Sequence, residues 1–318
     1  MKSQSVTAPS LTKKRYTFFT DIRRNRFSYL LILPALLYVL VFSYLSYPYM
    51  IIAFKHFNYK LGVFGSEWCG FKNFEFFLKS TNAPTVIRNT LVLNILFIVT
   101  GTLTSLVLAI LLNELRSRVF VRTAQTMMLF PHYISWVVVS YILLAIFSNK
   151  NGLANQLLNA LGMKSVSWYT KADAWPTILV WMKIWKSAGM NAVIYLAAIT
   201  GIDESIYESA TIDGANRFQR IVSITVPLIM PTVCIMTLLA VGKIMNGDFG
   251  MIYALVGDQG ILYETTDEID TYVYRVLRQT GDPSQSMAIG LFQSLIGLVM
   301  VVGSNWIVKH TFHEGALF

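Results

Sequence analysis

The chain has 318 residues, of which 54% are hydrophobic and only 14% charged, whereas a soluble globular protein carries about 25% charged residues. With a mean hydropathy of +0.52 there is too little polar surface to wrap a soluble domain of this size, which argues against a cytosolic enzyme, a disordered tail and a secreted disulfide scaffold. The net charge of +9 does not indicate nucleic acid as a partner in so apolar a chain; in a membrane protein such an excess marks cytoplasmic ends. Cys69 stands in a polar stretch and Cys234 in an apolar one, so they are not expected to pair, and no CxxC offers a redox or metal site.

A membrane helix needs about 20 mostly apolar residues. Six such runs are legible, near 29–51, 90–112, 124–147, 176–200, 227–246 and 287–308, and Pro34, Pro131 and Pro231 interrupt three of them. The expectation is an all-α polytopic membrane protein: a cytoplasmic N-terminal segment 1–28, a six-span domain 29–308 and a cytoplasmic tail 309–318. Orientation follows from basic residues. Lys13, Lys14, Arg15, Arg23, Arg24 and Arg26 precede the first run, and Arg116, Arg118 and Arg122 follow the second. Both clusters read as cytoplasmic, which puts 52–88, 148–174 and 247–286 outside and 201–226 inside. The first run is longer than a signal-peptide core and ends in Tyr47-Pro48-Tyr49 without a small-residue cleavage site, so it reads as a retained anchor.

Several chemistries have no support. There is no G-x-x-x-x-G-K-[ST], H-E-x-x-H or G-x-S-x-G. Lys243 follows Gly242, but Ile244 and the lack of a glycine-rich lead exclude a phosphate loop. His56, His132, His310 and His313 form no ligand cluster. No enzyme activity, metal or cofactor is expected for this chain itself.

The inside segment 201–226 is punctuated like a helix-turn-helix. Asp203 can cap a helix, Glu204 complements its positive end, and Ile202 and Tyr207 occupy the positions of a hydrophobic staple. The helix is expected to run to about Ile212 and to break at Asp213-Gly214. A second short helical stretch follows through Phe218 and Ile221, and Pro227 suits the first turn of the next span. Such a knob serves either as a docking element or only as a surface helix that steadies the loop.

Glu208-Ser209-Ala210, Asp213-Gly214-Ala215 and Ile224-Thr225-Val226-Pro227 resemble the EAA motif of ABC importer permeases, E-A-A-x-x-D-G-A followed by I-x-L-P. Ser209 and Val226 depart from the pattern by small changes of similar shape. Further stretches are similar to the carbohydrate-uptake (maltose-type, polysaccharide and multi-sugar) branch: Leu33-Pro34-Ala35, Gly70-Phe71-Lys72-Asn73-Phe74, Pro131-His132-Tyr133-Ile134-Ser135-Trp136, Trp185-Lys186 with Gly189, and Ile269-Asp270-Thr271-Tyr272. The resemblance spans nearly the whole chain. It implies a type I importer permease in a bacterial cytoplasmic membrane. It also implies a second homologous permease, two ATP-binding subunits that hold ATP and Mg, an extracytoplasmic solute-binding protein and a carbohydrate substrate. By the same resemblance Glu208, Ser209, Ala210, Asp213, Gly214 and Ala215 form the helix that docks on the ATPase.

Polar groups inside a membrane are functional candidates because they are costly there. Lys183 and Lys186 share a helix face, with Trp181 and Trp185 beside them and Asn191 and Tyr195 further along. An aromatic and amide face suits carbohydrate, and the lysines permit an acidic one; a packing stripe with lysines paired to a sister subunit fits the same residues equally. Asn246 and Asp248 could line the outer mouth or simply end the fifth span. His132 and Trp136 near Pro131 are candidates for the path or for interfacial anchors. The competing class, an ion-coupled secondary transporter or channel acting without an ATPase, usually carries intramembrane acids, and the expected span interiors hold none.

Overall fold

The computed structural model describes residues 22–149 and 151–311. The basic residues before Asp21 and the tail beyond Thr311, including His313, lie outside the described residues. The chain falls into two compact units, Met1–Ile51 and Ile52–Phe318.

The first unit holds α1 (Arg26–Phe42). It is apolar on every side, as a membrane-spanning helix must be when lipid rather than water surrounds it. Pro34 lies inside this helix without ending it. The Ser43 N–H closes the last turn on Val39 O at 2.9 Å, and a 3-10 stretch begins at Tyr44.

The second unit is built on α2 (Lys72–Leu78), α3 (Ala83–Glu114), α4 (Arg118–Tyr133), α5 (Trp136–Phe147), α6 (Leu153–Ala160), α7 (Trp175–Thr200), α8 (Glu204–Ile212), α9 (Arg217–Val241), α10 (Phe249–Val256), α11 (Ile269–Thr280) and α12 (Pro283–Thr311). Among the described residues the only strands are the two-residue pair Lys55–His56 and Glu67–Trp68. The all-α expectation holds. The spine is α3 against α7, and α4 also packs on α7. Three apolar clusters run along it. One joins Phe97, Leu143, Trp175 and Met251; one joins Phe77, Val86, Tyr272 and Ile289; one joins Leu112, Tyr195, Ile199 and Ile229.

Among the described residues four helical segments are long and apolar enough to cross a membrane: Arg26–Phe54, Ala83–Glu114, Arg217–Val241 and Pro283–His310. The pair Arg118–Tyr133 and Trp136–Phe147 makes a fifth if its 95° bend is counted within one span. The expected count of six is therefore not reached on length and composition. The shortfall is α7, whose Lys183, Lys186, Ser187 and Asn191 dilute its apolar content. The two lysines bond to groups of neighbouring segments, and Ser187 and Asn191 face a cavity.

Of the three prolines expected to interrupt spans, Pro34 and Pro231 lie within continuous helices. Only next to Pro131 does the chain turn, because Ser135 starts α5 by accepting from Val138 N–H at 3.3 Å. Pro227 stands in the first turn of the regular helix Val226–Val241, as expected, although helical turns already precede it. α9 starts at Arg217 and widens into a π turn over Ile221–Thr225 just ahead of Pro227. A wider turn there relieves the clash that the pyrrolidine ring makes with the preceding turn. The stretches read as outer loops are also not plain loops, since they contain α2, α6, α10 and α11. The two cysteines are unpaired, as expected.

Candidate functional site

Lys183, Ser187, Asn191 and Tyr195 stand four residues apart along α7, so they share one face. That face forms a wall of a cavity of about 610 Å³. Asn94 and Thr102 face it from α3, and Lys243, Asn246 and Asp248 close it beyond the end of α9. Phe97 and Phe249 add aromatic surface. The lining thus combines amide, hydroxyl and ring groups with two lysines and one carboxylate.

Lys183 is not free. Its Nζ donates to Asp248 Oδ2 at 2.6 Å, in a pair that is about three-quarters buried. The other oxygen of Asp248 accepts the Met251 N–H at 3.1 Å and so caps α10. One carboxylate therefore holds the cavity's lysine and starts the next helix.

Beneath Asp248 the backbone passes very close to a buried acid. A Cβ added at Gly247 would stand 2.2 Å from Glu268 Oε2, so any larger residue there would force Glu268 to move. Glu268 is fully buried, and the donors near its carboxyl are backbone N–H groups, with no side chain bonded to it. Burial, followed by the neighbouring charges of Asp270 and Asp248, pushes its carboxyl up to about 8, against the opposing pull of Lys183. Asp270 is raised too, mainly by burial, while Gln293 and the Gly247 N–H hold it at 3.0 and 2.6 Å. A carboxyl in a dry site beside other acids is held neutral more cheaply than charged.

The remaining candidates for the path lie elsewhere. Lys186 turns to the end of α4, where it donates to Pro131 O at 3.3 Å, His132 O at 3.0 Å and Ile134 O. It also sits 5.1 Å over the Trp136 ring. A helix terminus leaves such carbonyls short of donors, and although Pro131 O also takes the Ile134 N–H at 3.2 Å, one ammonium gathers the carbonyls at the α4–α5 bend. Trp181 and Trp185 are exposed on a different face of α7 from the cavity. Replacing Lys186 with methionine should therefore cost about 2–3 kcal/mol, the scale of hydrogen bonds to a charged donor. Thermal unfolding of the purified variant checks this, and an unchanged midpoint would refute it.

The knob is sharply built. Asp203 accepts the Ser205 N–H at 3.0 Å, and that bond holds its carboxyl below the usual range. α8 ends at Ile212; Gly214 takes φ +80°, and the Ala215 N–H returns to Ala210 O at 2.9 Å. Asn216 and Gln219 cap the start of α9 reciprocally, at 2.9 and 2.8 Å. Tyr207 Oη and Thr225 Oγ1, 2.9 Å apart, tie α8 to the π turn. The knob leaves Glu208 exposed and without an ion pair among the described residues, and it presents Ile212 and Phe218 to the outside.

Residues 101–312 match the family of the binding-protein-dependent transport system inner membrane component. This chain belongs to that family. It is the permease subunit of a binding-protein-dependent importer, a membrane component that does no catalysis itself. The permease is 36% identical over 309 residues to Protein LplB of Bacillus subtilis, covering 97% of this chain and 96% of LplB. It is 32% identical to the polygalacturonan/rhamnogalacturonan transport system permease protein YteP of the same organism, covering 99% of each. Its fold matches a chain of a bacterial ABC transporter involved in the import of the acidic polysaccharide alginate. That match has a TM-score of 0.84 and 32% identity, covering 92% of the permease and 99% of that chain. A second structure of a bacterial alginate ABC transporter holds an alginate pentasaccharide-bound periplasmic protein, with the same TM-score.

Asn94, Thr102, Ser187 and Lys243 complete the permease cavity but did not stand out in the sequence. The four-residue step from Lys183 through Ser187 to Asn191 was the available signal.

Proposed function

We propose that the permease forms half of the translocation path for an acidic oligosaccharide or polysaccharide fragment, moved by alternating access. The observation that carries this reading is the cavity on α7: amides and hydroxyls with aromatic surface and two lysines against one carboxylate, Asp248. Sugar hydroxyls need such hydrogen-bond partners, sugar C–H faces stack on rings, and a surplus cation favours a carboxylate. The substrates named for YteP and for the alginate importer support the same class.

The assembly that goes with this reading contains a second homologous permease, two ATP-binding subunits that carry ATP and Mg, and an extracytoplasmic solute-binding protein. The chain spans the bacterial cytoplasmic membrane six times, with α7 as the span that its neighbours shield. Both termini and the knob 201–226 face the cytoplasm, so Glu208, Ser209, Ala210, Asp213, Gly214 and Ala215 meet the ATPase. The exposed apolar tips at Ile212 and Phe218 favour a docking role over a loop-steadying one.

The test is uptake of uronate-containing and neutral oligosaccharides by the reconstituted importer. Lys243→Gln is expected to slow uptake of the acidic substrate about tenfold, the scale of one charged hydrogen bond, and to change neutral substrate little. Equal effects on both would sink the acidic reading. Loss of no transport in Asn191→Ala and Lys243→Gln together would remove the cavity from the path.

A further inference from the structure

At the end of α3 far from Asn94 lies a second cavity, of about 330 Å³, shared by the ends of α3, α4 and α7. Its polar side is Asn113, Arg118, Arg122 and Gln125, and its apolar side is led by Leu112, Leu115 and Leu196. Arg118 and Arg122 are four residues apart on α4, so they present their guanidinium groups from one face. Neither makes an ion pair among the described residues, and no carboxylate lines the cavity. Arg118 and Arg122 are exposed, and two arginines without an ion pair in one depression supply the charge and the planar donors that a phosphate needs, because each guanidinium can grip two phosphate oxygens.

What ligand carries that anion follows from the helix leading to it. Val99, Leu103, Val107 and Leu111 form an unbroken four-residue stripe on α3, each between 49% and 58% exposed. The next position in that register is Leu115, inside the cavity. From Val99 to Leu111 the stripe is about 18 Å long at 1.5 Å per residue, close to the ~15 Å depth of one leaflet's hydrocarbon. An apolar track of acyl-chain length that runs into a doubly cationic depression has the shape of a membrane lipid.

We propose that this cavity binds the headgroup of an anionic phospholipid, with its acyl chains on the Val99–Leu111 stripe. The proposal stands apart from the translocation cavity and does not depend on what the importer carries. A lipid phosphate is bound by Arg118 and Arg122, with Asn113 and Gln125 as further hydrogen-bond partners. A zwitterionic headgroup brings a quaternary ammonium into a site with two cations and no acid, and is disfavoured.

The test is native mass spectrometry of the assembled importer, titrated with phosphatidylglycerol and with phosphatidylcholine of the same acyl chains, and with inorganic phosphate as a third arm. Phosphatidylglycerol is expected to bind more tightly by about fivefold per arginine, the scale of one basic residue at a lipid surface. R118Q/R122Q should abolish the preference. R116Q, on an exposed arginine outside the cavity, should leave it intact. If the double variant does not assemble, R118Q and R122Q singly should each remove about fivefold. Equal binding of the two lipids, an unchanged preference in the arginine variants, or full displacement by millimolar inorganic phosphate would each overturn the proposal.

Discussion

Replacing Gly214 with proline in the assembled importer is expected to lower uptake about 5- to 150-fold, the range of coupling free energies between sites, while the complex still forms. Gly214 holds φ +80°, and proline is fixed near −65°. The substitution therefore cannot preserve the turn that returns the Ala215 N–H to Ala210 and sets α8 against the start of α9. The space around Gly214 is open, so the damage is to backbone conformation and not to packing. Glu208→Lys reverses the charge of an exposed side chain and should uncouple in the same direction without disturbing the fold. The measurement is substrate uptake beside ATP hydrolysis, with assembly of the ATP-binding subunits verified. Wild-type uptake in both correctly assembled variants would show that this knob does not carry the stroke.

Glu268→Gln is expected to flatten part of the permease's pH-dependent stability. An acid raised in the folded state keeps its proton between its unfolded and folded pKa values, so the native chain binds more protons than the unfolded one there. For Glu268 that window runs from the ordinary 4.5 to about 8. Stability contributed by the protonated form is complete at the low end of the window and falls away as pH rises through it. The change is on the order of a few kcal/mol, or several degrees in unfolding temperature. Asp267 and Asp270 are also raised, chiefly by burial, and add to the same slope. The comparison is therefore between wild type and the glutamine variant at pH 5.5 and 8.5. Glutamine keeps the shape and carries no charge, so the variant should lose less stability on going to pH 8.5. Parallel curves would mean that Glu268 is not the neutral acid its surroundings imply.

The features legible in the sequence are those set by neighbours along the chain. α8 begins after Asp203 and ends at Ile212 because a cap and an Asp-Gly break write those limits locally. Apolar runs announce α3, α9 and α12 because lipid or a core must cover them. The cavity was half legible: Asn191, Tyr195, Asn246 and Asp248 come together, and Lys183 finds its carboxylate within the chain rather than on a sister subunit. Lys186 shows why the rest was not. Three residues from Lys183, it has the same chemistry in the sequence, yet its partners are backbone carbonyls of a different helix, which no side-chain pattern reveals. In the sequence Glu268 is one acid in a run with Asp267 and Asp270 and nothing marks it out. Only the packing of Gly247 against it distinguishes a dry carboxyl from a solvated one.

The π turn at Ile221–Thr225 bears on how a stroke travels. Helical rods resist bending through evenly spaced rungs, and an i→i+5 turn is the irregular rung in such a rod. It lies between the knob and the apolar length of α9, bolted to α8 through Tyr207 and Thr225. Under the proposed reading, force applied at the knob meets an irregular joint at the base of the lever, so the apolar shaft would change its tilt while keeping its own ladder intact.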